Sequence, residues 1–191
     1  MKRFLKILKR TMIILFTPIA ILSITTFFYL RQPQFGALPK GARLELVKKS
    51  PNYKNGEFRN VVEKLTISEG YSLTGELYKT IFKNYPNREP IDSLPSVKTN
   101  LKTIPTDSNV IVWFGHSSFF LQLDGVKILV DPVFCGKASP LPWGTKAYKG
   151  SDIYTADDMP EIDYMLLSHD HYDHLDYETA KALQPKVKFV I

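Results

Sequence analysis

A short apolar strand runs directly into a cluster of histidines. Asp163-Tyr164-Met165-Leu166-Leu167 reads as a buried strand, and Ser168-His169-Asp170-His171-Tyr172-Asp173-His174 follows without a break. The 191-residue chain has four histidines, and three of them fall within six positions, with Asp173 beside the last. In extended backbone, residues i and i+2 point to the same side. His169 and His171 can therefore present two imidazoles to one metal ion at the strand end. The turn that follows carries Asp173 and His174 toward a second, adjacent position. Imidazole nitrogen and carboxylate oxygen are both good zinc ligands. An adjacent pair of ions clamps a phosphoryl or acyl oxygen and brings the pKa of bound water near neutrality. Asp173 is then also the candidate catalytic residue, orienting the attacking water or accepting its proton. Asp170 and Tyr172 occupy the intervening positions and are expected to point away. A solvated polar loop is the competing reading of the same residues.

The stretch before the motif has a β texture. Val110-Ile111-Val112-Trp113-Phe114 and Phe119 to Leu123 are short apolar runs, and Lys127-Ile128-Leu129-Val130 follows the hairpin signal Asp124-Gly125. Residues 134–158 read as a long loop. Within it Trp143 and Tyr148 are candidates for lining a substrate entrance or for surface packing. Asp176 is placed to cap a helix over 177–183, and residues 186–191 start another strand. Two isolated residues complete the candidate list. His116 follows a strand and a glycine, either as a structural histidine or at the rim of the metal cleft, touching substrate or a carboxylate behind the ligands. Asp131, at a strand end, is a candidate partner orienting a ligand histidine, or a turn residue. The single cysteine, Cys135, forms neither an intramolecular disulfide nor a thiolate cluster alone.

Residues 11–30 carry no charge, which is about the length needed to cross a hydrocarbon core of about 30 Å as a helix. Lys2, Arg3, Lys6, Lys9 and Arg10 precede them. These five account for most of the net charge of +6 and leave the remainder at +1. That near-neutral body argues against a nucleic-acid groove. The basic flank favours a cytoplasmic amino terminus. The expectation is a single-pass membrane protein anchored through residues 11–30, its catalytic domain outside the cytoplasm. A cleaved signal peptide is one alternative, although no Ala-x-Ala site or lipobox cysteine follows, and a buried core helix is the other. The organisation read from the sequence is a leader and membrane helix over 1–31, an extended linker and extension over 32–108, and a domain over 109–191. Within the extension, residues 72–85 have a helical pattern and residues 87–105 read as a proline-rich connector.

The His-x-His-x-Asp-His pattern after a hydrophobic strand resembles the signature of the metallo-β-lactamase superfamily. Trp113-Phe114-Gly115-His116-Ser117-Ser118, Asp124-Gly125-Val126, Val130-Asp131-Pro132-Val133-Phe134 and Ala138-Ser139-Pro140 narrow the likeness. Together with Phe35-Gly36 and Ser50-Pro51-Asn52-Tyr53-Lys54-Asn55-Gly56-Glu57-Phe58-Arg59-Asn60, they resemble bacterial relatives of N-acylphosphatidylethanolamine-hydrolysing phospholipase D. They are more loosely similar to ascorbate-6-phosphate lactonase-like proteins. The resemblance implies an α/β (α+β) fold, the αββα metallo-β-lactamase sandwich, here its amino-terminal half preceded by a transmembrane helix. It implies a two-zinc site, with His169 and His171 on one ion and Asp173 and His174 on the other. The implied reaction is hydrolysis of a phosphodiester, with a phospholipid or another small molecule as substrate and no nucleic acid.

The superfamily completes its site with a later histidine, a bridging aspartate and a final histidine, none of which follows His174 in this chain. Two expectations result. One is a membrane-anchored metal-dependent hydrolase represented by a truncated chain. The other is an inactive remnant, or a membrane protein that binds one zinc ion without catalysis. A nuclease of the same superfamily fits less well with the near-neutral body and the membrane segment.

Overall fold

A computed structural model describes residues 2–62, 67–87, 89–141 and 144–191. The chain divides into two compact units, Met1–Asn84 and Tyr85–Ile191.

In the first unit, α1 spans Lys2–Tyr29 and has no buried residue. It is long and apolar enough to cross a membrane, with mean hydropathy 2.1 over its most apolar window. A signal sequence shares those properties. Pro18 lies inside the helix, where a soluble helix would be interrupted but a membrane helix adjusts locally. A short helix α2, Gly41–Val47, precedes a two-residue ladder of β1 (Tyr53–Lys54) and β2 (Glu57–Phe58). Asn55 and Gly56 both have positive φ, +56° and +88°. That is the combination a tight hairpin turn requires. Helix α3, Leu73–Phe82, starts where Ser72 accepts a hydrogen bond from the Gly75 N–H, an ordinary N-cap.

The second unit is built on a five-stranded sheet in sequential order: β3 (Val110–Gly115), β4 (Ser118–Leu123), β5 (Val126–Val130), β6 (Ile162–Leu166) and β7 (Val187–Val190). The first three form an antiparallel meander, and β5, β6 and β7 are mutually parallel. The Asp124-Gly125 turn joins β4 to β5 with both residues at positive φ, as the sequence signal requires. Helix α4, Tyr177–Leu183, makes the crossover from β6 to β7. Asp176 caps it by accepting from the Glu178 N–H, and also receives the Cys135 N–H.

The sheet has two unlike faces. Phe120, Leu129 and Met165 stand side by side on β4, β5 and β6. They are buried together with Ile162, Met159, Tyr154 and Leu183. The opposite row runs Ile111, Leu121, Ile128, Tyr164 and Phe189 through all five strands. Ile111, Tyr164 and Phe189 in that row are exposed. The structure is thus a mixed α/β unit with one apolar sheet face covered and one open, consistent with half of a sandwich.

The boundary expected at residue 109 differs from the second unit, which begins at Tyr85. Leu101 is buried in the core, and the Thr99 N–H donates to the Tyr154 hydroxyl at 2.7 Å. Lys98 pairs with Asp158. The connector looks loop-like because its prolines keep it extended, and extended backbone is what lets a single leucine reach the core.

Candidate metal centre

The site gathers at one end of the sheet, where three chain segments leave their strands. The pairing of β3 with β4 shifts register between Trp113 and Gly115. Gly115 then has φ +113° and His116 has φ +46°. A bulge followed by left-handed backbone re-aims a side chain that a regular strand would point elsewhere. The Trp113 indole N–H donates to the His116 carbonyl at 2.9 Å and closes this turn. His116 Nε2 consequently lies 3.1 Å from Asp173 Oδ2.

Asp131 leaves the end of β5 with φ +41° and is only 2% exposed. Its main chain is tied on both sides. Its N–H donates to the Leu166 carbonyl, and its carbonyl accepts from the Ser118 hydroxyl. The carboxylate accepts the Ser168 N–H at 2.8 Å, the Ser168 hydroxyl at 2.8 Å, and a hydrogen bond from His174 Nδ1 at 2.8 Å. Burial is the strongest single influence on this carboxyl and acts to raise its pKa. The bonds from His174 and Ser168 outweigh it and hold the group below its ordinary value.

The histidine loop leaves the end of β6. The N–H groups of His174 and Leu175 both reach the His171 carbonyl, which folds the loop back on itself. The His169 ring lies with its centroid 4.6 Å from that of His171 and 3.9 Å from that of His174. His174 Nε2 is 3.9 Å from Asp173 Oδ2. His116, Asp173 and His174 form one potential donor group, with a ligand atom from each lying within 4.8 Å of the others.

These spacings fit an ion. Nitrogen and oxygen ligands about 2.0–2.2 Å from a common zinc stand roughly 3–4 Å apart. His174 has its Nδ1 engaged by Asp131, which leaves Nε2 for coordination, the arrangement that fixes a ligand histidine's tautomer. Of the residues selected from sequence, Asp173 and His174 meet in the donor group. Asp131 contacts His174 directly. His169 and His171 are exposed neighbours of that group. His116, read from sequence either as a structural histidine or at the rim of the cleft, stands within the group itself. Trp143 lies outside the described residues, and Tyr148 is exposed. Ser117 and Ser168 were given no role from sequence, yet both hydroxyls reach His174 Nδ1, at 3.0 and 3.2 Å. Their position inside the matched blocks was the only available signal.

Cys135 lies outside this donor group. Desolvation first, and then the Asp176 carboxylate, push its thiol up to about 11, so without an ion it is protonated at neutral pH.

Residues 110–190 match the family model described as a β-lactamase superfamily domain. This segment is thus similar to a β-lactamase superfamily domain. An uncharacterized protein of Mycobacterium tuberculosis is 31% identical to the chain over 142 residues, which is 71% of this chain and 37% of that protein. The N-acyl-phosphatidylethanolamine-hydrolyzing phospholipase D 1 of Caenorhabditis elegans is 33% identical over 122 residues, 60% of this chain and 34% of that protein. The chain thus spans little more than a third of the length of these relatives. A solved structure of CmlA, a diiron β-hydroxylase from Streptomyces venezuelae, aligns with 31% identity and a TM-score of 0.33. It covers 43% of this chain and 15% of that one. The matched residues 110–190 include the bulged β3, the histidine loop and all of β7.

Proposed function

We propose that this chain carries the metal-holding portion of a zinc-dependent hydrolase that cleaves a phosphodiester in a membrane phospholipid. The observation that carries the reading is the donor group of His116, Asp173 and His174, with His174 fixed from behind by the buried Asp131. His169 and His171, at the exposed front of the same loop, would supply two ligands to a second ion. A bound divalent ion supplies Lewis acidity and an acidified water. The residues of the chain do the remainder. Asp131 keeps His174 in the ligating orientation, and Asp173 orients the attacking water. His116, with its Nε2 3.1 Å from Asp173 Oδ2, would stand beside that carboxylate as a further ligand.

The phospholipid substrate is supported by the likeness to the Caenorhabditis elegans phospholipase D and by α1. In this reading α1 anchors the protein through residues 11–30, and the basic flank leaves the superfamily domain outside the cytoplasm.

The test uses the full chain in liposomes containing N-acylphosphatidylethanolamine, after loading with zinc, with iron or with neither. The expected result is zinc retained on the protein and lipid cleavage only in the zinc-loaded sample, read by mass spectrometry of the products. Activity with iron alone would overturn zinc. Retained zinc without cleavage of any lipid would favour a non-catalytic zinc-binding protein. No metal retained would remove the metal reading altogether.

A further inference from the structure

The Ser168 hydroxyl stands where three groups converge. Its oxygen is 2.8 Å from Asp131 Oδ2, 3.0 Å from His169 Nδ1 and 3.2 Å from His174 Nδ1. Counting protons at this junction fixes the direction of each bond.

A carboxylate only accepts, whereas a neutral imidazole has one donor and one acceptor nitrogen. His174 Nδ1 lies 2.8 Å from Asp131 Oδ2. Without a proton between them, two lone pairs would face each other at that distance, so His174 carries its proton on Nδ1. The same reasoning applies to Ser168. Its hydroxyl has one proton, and the contact with Asp131 Oδ2 requires it. The oxygen of Ser168 can then only accept from His169. The contact with His169 Nδ1 is therefore a bond in which the histidine donates.

We propose that Ser168 is a positioning residue whose hydroxyl, committed as donor to Asp131, accepts from His169 Nδ1 and so leaves His169 Nε2 as the free, ligating nitrogen. One carboxylate thereby sets two histidines: His174 directly, and His169 through the serine. The main-chain N–H of Ser168, donating to the other oxygen of Asp131 at 2.8 Å, keeps the hydroxyl at this junction. The use of the free nitrogen rests on the metal-site reading. The tautomer assignment does not.

The experiment is nitrogen-15 NMR of the histidine rings in the full, metal-free chain in micelles, which reads directly which ring nitrogen carries the proton. The expected result is Nδ1–H for both His169 and His174. In Ser168→Ala, His169 populates the Nε2–H form while His174 keeps Nδ1–H, and Ser168→Thr retains the parent pattern. Zinc titration by calorimetry should show binding about tenfold weaker in Ser168→Ala and recovered in Ser168→Thr. An Nε2–H proton on His169 in the unsubstituted chain overturns the assignment, and needs no variant to fold. So does an unaltered Nδ1–H on His169 in Ser168→Ala. The expected tautomers with no zinc uptake by any form would support the assignment while removing the metal reading.

Discussion

The inner and outer halves of the candidate centre are built on opposite terms. On the inner side Asp131 is buried, and the described hydrogen bonds engage both carboxylate oxygens. On the outer side Asp173 and His116 are substantially open to solvent and close to each other, and His116 sits on a left-handed backbone. The inner half belongs to the fold as much as to the site. The outer half belongs to the site alone. Substitutions on the inner side should therefore disturb folding and binding together, and those on the outer side should separate them.

Asp131→Ala should have the largest effect on folding. It leaves His174 Nδ1 and both donors of Ser168 without their acceptor, at a cost of about 1–3 kcal/mol. It should also weaken zinc binding by roughly 10–100-fold. Thermal unfolding followed by circular dichroism reads the first effect and calorimetry the second. A melting temperature equal to that of the parent would break the distinction between the halves.

The pH dependence comes next. Hydrogen bonds hold the folded-state pKa of Asp131 below its value in the unfolded chain. The unfolded state therefore takes up a proton more readily, and stability rises with pH across that interval. The contribution is fully present above the unfolded value of about 3.9 and is lost as pH falls through the folded value. Asp131→Asn should flatten the decline of stability in acid relative to the parent. Equal slopes in the two proteins would show that Asp131 is not responsible.

His116→Gly should have a smaller effect, of opposite sign. Glycine adopts the left-handed conformation without penalty, so stability should rise by up to about 1 kcal/mol while a candidate ion donor is lost. A destabilised variant would mean that the His116 side chain supports the fold. The smallest effect on stability is expected for Asp173→Ala, within about 0.5 kcal/mol of the parent. Its zinc binding should nevertheless fall. Loss of stability comparable to that of Asp131→Ala would merge the two halves into one.

Local features of the fold were legible in the sequence where a short-range signal sets them. The uncharged run of α1, the Asp124-Gly125 turn and the Asp176 cap each act within a few residues. Strands β3 to β6 showed as apolar runs because each buries at least one face. Leu101 was not legible, because its burial depends on residues far along the chain and its own neighbours resemble a loop. In the site, the spacing of His169, His171, Asp173 and His174 pointed to a cluster. The approach of His116 to Asp173 is set by a bulge, and alternating patterns do not encode bulges. Ser168 was hidden for another reason: a serine before a histidine is unremarkable until a buried carboxylate sits beneath it.

The indole that closes the turn at His116 is also an optical handle. Trp113 is one of only two tryptophans in the chain, is 70% exposed, and is hydrogen-bonded to the backbone of a candidate ion donor. With Trp143 replaced by phenylalanine, its emission would come from the bulge alone. An ion arriving at His116 would then be seen as a change in fluorescence, in real time and without a label.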